Sequence, residues 1–133
     1  MDKLEFLILR NLIHNEEYVR KVLPFIRAEY FENYNEKVVF EEVSKFVEEY
    51  NKPVTKEVLC IETEKRQDIN DSSFKEVTQL ISTLDDEPTE FNWLVNTTEK
   101  WCRDRAIYLA LMESIQLADG KDETKDRDAI PSI

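Results

Sequence analysis

Gly120 is the only glycine in 133 residues. At the ordinary usage of ~7% a chain this long carries roughly nine. The phosphate-cradling loops G-x-G-x-x-G and G-x-x-x-x-G-K-[ST], and the G-x-S-x-G nucleophile elbow, each need at least two, so all three fail by counting. Hairpin turns that demand positive φ are scarce for the same reason, which weighs against an all-β fold. These residues therefore build neither a nucleotide-driven motor nor an α/β-hydrolase.

The length suits one domain with a real hydrophobic core. Hydrophobic residues at 41% and aromatics at 11% mark a folded globule rather than a disordered segment. Acidic residues outnumber basic ones by 29 to 18, a formal charge of −11. Such a surface repels phosphate and argues against a broad basic DNA-binding face, though not against a local basic strip. Cys60 and Cys102 are too few for a disulfide framework and wrongly spaced for a zinc ribbon, so they are expected to be reduced thiols. The acidic start Met1-Asp2-Lys3-Leu4-Glu5 lacks the basic region of a signal peptide. No apolar run approaches ~18 residues, so no membrane span is expected. The chain is expected in the cytoplasm.

The hydrophobic pattern is helical almost throughout. From Lys3 to His14 the apolar positions leave only a narrow polar edge, which predicts a helix covered on two sides. Asn15 followed by Glu16 and Glu17 reads as an N-cap with an acidic first turn, for a short helix through Leu23. Pro24 opens a further turn leading into Tyr30, Phe31 and Tyr34. Between Asn35 and Tyr50, the residues Val39, Phe40, Val43, Phe46, Val47 and Tyr50 form one stripe of a 3.6-residue period. Glu41, Glu42, Ser44, Lys45, Glu48 and Glu49 take the opposite face, and Asn51-Lys52-Pro53 stops the helix. Thr55 caps the next helix, with Val58, Leu59 and Ile61 inward. Phe74, Val77, Leu80, Ile81 and Leu84 form another stripe, closed by the loop Asp85–Thr89.

From Glu90 to about Ala118 nothing breaks the pattern for roughly 29 residues, well beyond an average helix of ~11–12. Gly120 stands where its C-cap is expected. Asp119 to Asp128 holds eight charged residues in ten and reads as a solvated linker. Residues 129–133 are apolar again and read as the start of a further segment. Within the long helix, Ala106 to Met112 is seven apolar residues in succession. One small globule covers one side of such a helix, so the other side predicts a partner, most simply a second copy of the chain. The expected architecture is all-α: a globule of about five to six helices over 1–118, ending in one long and possibly projecting helix of about 90–118, then a linker over 119–133.

Candidate chemistry is thin. His14 is the sole histidine, so histidine metal clusters, His-paired nucleophiles and Glu-x-x-His di-iron pairs lack members; it is expected to bond carbonyls at the end of its own helix. The acidic doublets Glu41-Glu42, Glu48-Glu49 and Asp85-Asp86 could do acid–base work in principle, but on a polar face or in a loop they read as solvated. Arg103 and Arg105 could meet phosphate or an acidic partner, or pair within the helix, as Glu99 would with Arg103. No catalytic, cofactor-binding or metal-binding residue is assigned.

Taken in order, several segments resemble the N-terminal domain of the DnaB-like hexameric replicative DNA helicases, in the T-even-type phage branch. The resemblance begins at Leu23-Pro24-Phe25 and Ala28-Glu29-Tyr30-Phe31-Glu32. It continues through Phe40, Glu48-Glu49-Tyr50, Pro53-Val54 and Leu59. Leu80 to Leu84 with Pro88 is similar to the family's short helix and break. Trp93-Leu94-Val95, Thr98-Glu99-Lys100 and Arg103-Asp104-Arg105-Ala106 resemble its long helix, and Ala129 to Ile133 the entry to its linker helix.

The resemblance implies an ATP-dependent enzyme that unwinds duplex DNA at the replication fork, with ATP and Mg held by a RecA-like motor domain beyond Ile133. These residues would be its collar. They would form dimers within a hexamer, offer a face to primase or a helicase loader, and surround the single-stranded DNA that passes through the full ring. Trp101, Cys102, Arg105, Ala106, Leu109 and Met112 are the expected self-association residues. The bacterial members follow their long helix with a second arm; Asp119–Asp128 is too charged and short to supply an obvious one. The alternative is a stand-alone acidic phage adaptor or DNA-mimic inhibitor, whose negative surface would occupy a DNA-binding groove.

Overall fold

The computed structural model describes residues 3–120, with side chains to 118. The described residues are all-α: six α-helices and two short 3-10 turns, with no strand among them. The helices are α1 (Lys3–His14), α2 (Glu16–Val22), α3 (Tyr34–Tyr50), α4 (Lys56–Glu64), α5 (Asp71–Thr83) and α6 (Phe91–Gly120). The 3-10 turns, Leu23–Phe25 and Ala28–Tyr30, bridge α2 to α3 where Pro24 interrupts the α-helical hydrogen bonding. The long helix was expected over about 90–118 and runs through Gly120, so a cap beyond that glycine lies outside the described residues. The linker and final apolar segment past Gly120 lie outside them too.

Asparagine does much of the work that a glycine-poor chain must assign elsewhere. Asn15, Asn33 and Asn70 each take a backbone N–H on their side-chain oxygen at the starts of α2, α3 and α5, and Thr55 does so for α4. Asn51 ends α3 at φ 55°, the left-handed conformation a helix terminus usually gives to glycine. Arg20 holds it there, donating to both the Asn51 side-chain oxygen and its carbonyl at 3.0 Å.

Two compact units divide at Glu99/Lys100. In the first, α3 packs against α1, α4 and α5, while α1 packs on α2 and α4 on α5. Its centre holds Ile8, Leu9, Leu12, Tyr18, Phe31, Val39, Val43, Leu59, Val77, Leu84 and Leu94. α1 is buried on most of its circumference, as its narrow polar edge predicts, and that edge is used. Arg10 reaches Asp85 at 3.2 Å, and Asn11 donates to the Leu7 carbonyl and to Thr89. His14 Nε2 donates to the Leu84 carbonyl at 2.8 Å. That carbonyl ends α5 rather than α1, so the expected partner was of the right kind on the wrong helix. Together these polar groups tie down the α5–α6 loop. At the start of α6, the Tyr18 and Thr98 hydroxyls share a buried hydrogen bond of 2.6 Å.

Several side chains depart from their expected faces. Glu42, expected on the polar face of α3, is buried, whereas Phe46 and Val47 are only half-buried and Tyr50 is exposed. The apolar stripe therefore loses cover toward the C-terminus of α3. Ile61, expected inward, is exposed on α4. Asp85 is an ion-pair partner and not merely a solvated acid.

Glu42 survives burial because Arg66 folds back over α3. The Arg66 guanidinium reaches Glu42 at 2.7 Å, Glu41 at 3.0 Å and Asp68 at 2.8 Å. Burial opposes its charge, but the hydrogen bonds to Asp68, Glu42 and Glu41 outweigh that and hold the guanidinium proton more tightly than usual. Both cysteines are free thiols, Cys60 half-buried and Cys102 buried.

Candidate interaction surface on the long helix

The second unit is described from Lys100 through α6. Its surface is unusual for what is left open to solvent. Ile107, Tyr108, Leu111, Ile115 and Leu117 are each between 50% and 65% exposed. Singly exposed apolar side chains are ordinary, but a row of them along one helix is not.

Helical geometry sorts these residues into faces. At ~100° per residue, Ile107, Leu111, Ile115 and Tyr108 fall within an arc of about 100°. Trp101, Met112, Arg105, Leu109 and Cys102 fall within a second arc of similar width, centred roughly 110° away. The residues expected to mediate self-association thus lie mainly on the second stripe. There Trp101 is 9% and Cys102 7% exposed, and Arg105, Leu109 and Met112 are half-buried. Ala106 is exposed and belongs to neither stripe.

The residues expected to mediate self-association share a segment with the most exposed apolar face of α6 but lie mainly off it. A continuous apolar run has no internal period with which to choose one. The missed signal lay just beyond it: Ile107, Leu111 and Ile115 form an i, i+4, i+8 row that carries on past Met112.

Charged groups border the stripe. Lys100 pairs with Asp104 at 2.8 Å across one turn, both largely exposed. The Arg105 guanidinium lies 5.0 Å from the centre of the Tyr108 ring, a cation–π contact that orients the tyrosine along the helix. The arrangement has the makings of an interface: an apolar strip, an aromatic anchor and a polar border.

Among the described residues no group of three or more His, Cys, Asp and Glu is placed to hold a metal ion. The single glycine leaves these residues without a glycine-rich phosphate loop. No helix among the described residues is long and apolar enough to cross a membrane.

The described residues therefore define an all-α domain whose last helix carries an uncovered apolar stripe. No protein-family model matches the chain. It is similar to a DnaB-like replicative helicase of Enterobacteria phage T4, with 32% identity over 111 residues. Those residues make up 84% of this chain but 23% of the helicase, so the match spans less than a quarter of the relative's length.

Proposed function

We propose that this chain is the N-terminal assembly and partner-binding domain of a phage replicative DNA helicase, pairing with a second copy through α6. The observation that carries the pairing is the row Ile107, Leu111 and Ile115, exposed with Tyr108 on a helix that extends well past the first unit's last residue. The likeness to a phage replicative helicase over most of this chain supports the parent activity. In this reading ATP and Mg belong to a RecA-like motor outside these residues. Dimers within a hexamer, a ring around single-stranded DNA, contacts with primase or a loader, and a host-cytoplasmic setting are parts of the same proposal.

Burying an apolar stripe of this kind stabilises a pair by roughly 25 cal/mol per Å² removed from water, opposed by the cost of association. Two short stripes therefore give weak pairing that strengthens when many copies are held together. Sedimentation equilibrium on the 133-residue chain tests this. The wild type is expected to associate at high concentration, Leu111→Asp to be monomeric, and Leu109→Asp, on the neighbouring stripe, to shift the same way. If wild type and both variants sediment as the same monomer at the highest attainable concentration, α6 is not the pairing element. A stop codon directly after Ile133 in the natural reading frame would favour the acidic-adaptor alternative, and a continuing frame with G-x-x-x-x-G-K-[ST] the helicase.

A further inference from the structure

The C-terminal half of α3 and the neighbouring part of α4 enclose a cavity of about 120 Å³, lined by Glu42, Lys45, Phe46, Glu49, Tyr50 and Glu62. One part of its lining is aromatic: the Phe46 and Tyr50 rings lie 4.8 Å apart, tilted by 41°. The rest is mainly acidic. Glu42 is buried; its Oε2 accepts from Arg66, and its Oε1 is paired with the Lys45 ammonium at 3.0 Å, reached from a mostly exposed side chain. Glu62 pairs with Lys65, which is also mostly exposed, and Glu49 adds a further exposed carboxylate.

These walls select for a particular guest. Carboxylates beside aromatic faces favour a cation with an apolar stem, because ring and charge both attract it and the stem covers the ring. A single water needs roughly 10–15 Å³ of such volume, so the cavity is roomy enough to admit a short alkylammonium chain. Lys45 shows on the chain itself that an ammonium reaches Glu42 here. The exposed apolar groups nearby, Tyr50 and Ile61, offer contact area that a small free cation would leave uncovered. A net charge of −11 attracts a basic segment over distance.

We propose that this cavity receives a lysine side chain from a basic, partly apolar segment of a partner protein. The ammonium sits among Glu42, Glu49 and Glu62, displacing Lys45, and its methylenes lie against Phe46 and Tyr50. The proposal rests on the first unit alone and does not depend on the helicase reading.

The test is an NMR titration of the ¹⁵N-labelled chain with a short helical peptide bearing one central lysine flanked by leucines. Controls are the same peptide with norleucine for lysine, and N-acetyl-lysine methylamide alone. Amide shifts are expected along the C-terminal half of α3 and around Glu62. Affinity is expected to fall about tenfold or more with norleucine and in the E49Q/E62Q variant. The variant D86N/E113Q, which removes two charges outside the cavity, should bind as wild type does. Equal binding of the norleucine peptide would reduce the site to an apolar groove. Equal loss in D86N/E113Q would reduce it to overall charge. Binding of the methylamide as tight as the peptide would make it a small-cation site. Any of these, or shifts confined to other residues, overturns the proposal.

Discussion

Removing the Arg66 guanidinium exposes how the first unit tolerates a buried acid. In Arg66→Met the apolar stem is kept and the charge is lost. Glu42, whose side chain is only 2% exposed, then retains the Lys45 ammonium and nothing else of opposite charge within an ion pair. Breaking a buried pair by removing one partner costs about 3–5 kcal/mol. The other two carboxylates contribute little to this sum, because Glu41 and Asp68 are 45% and 61% exposed and water replaces the arginine there. Lys45 offsets part of the loss, so the lower end, about 3 kcal/mol, is expected. For a chain of this size that lowers the melting temperature by about 10–15 °C. Urea denaturation followed by far-UV circular dichroism gives the free energy directly. The double variant Arg66→Met/Glu42→Leu removes the stranded charge and should regain at least half of the loss, since an apolar pair often replaces a buried ion pair without penalty. A cost below about 1 kcal/mol for Arg66→Met, or simple additivity in the double variant, would refute the claim that Arg66 makes the burial of Glu42 tolerable.

Other consequences follow from single contacts. The hydrogen bonds from Arg66 hold the Asp68 carboxyl below its usual pKa. A depressed carboxylate contributes stability that is present above its unfolded pKa of about 4 and is lost as pH falls through the lower folded value. A carboxyl-detected NMR titration should place Asp68 below the other exposed aspartates, and Arg66→Met should return it to their range. Burial, then the nearby Glu57 carboxylate, pushes the Cys60 thiol up, so disulfide-exchange labelling at pH 8 should be slower than for a free peptide thiol. The buried Tyr18–Thr98 hydrogen bond predicts a cost of about 1–2 kcal/mol for Tyr18→Phe or Thr98→Val alone. The double variant should cost less than the two single losses combined, because both single variants remove the same hydrogen bond.

The helices were legible because their start and stop signals are local. Asn15, Thr55 and Asn51 act within one turn of themselves, and the stripes of α3 and α5 need only a period. Tertiary polar contacts were not legible. Asp85 reads as a loop acid until Arg10, 75 positions earlier, is seen beside it. Glu42 reads as a solvated acid until Arg66, 24 positions later, folds over it. Side-chain pairs at such separations leave no periodic trace, and a long arginine reaches its partner from almost any flanking loop. The fading of the α3 stripe is of the same origin. Phe46 and Tyr50 keep the right period, but what covers them is decided by how much of α4 lies opposite.

The long helix sets the sharper limit. A period identifies a buried face only where polar residues mark the other one, and from Ala106 to Met112 no polar residue does so. The run therefore predicts that some face needs a partner without saying which. Exposure supplies the choice, and it favours Ile107, Leu111 and Ile115 over Leu109 and Met112. The two stripes are roughly 110° apart, about the angular width of one apolar contact face. Aspartate at 111 and at 109 thus probes two separable surfaces. If pairing uses only the exposed stripe, Leu111→Asp abolishes association and Leu109→Asp weakens it through the interface edge. If Leu109→Asp proves the more damaging, the half-buried stripe takes part, and Arg105 and Met112 must open to a partner when copies meet. The rank order of the two variants in one sedimentation series decides which face of α6 carries the proposed pairing.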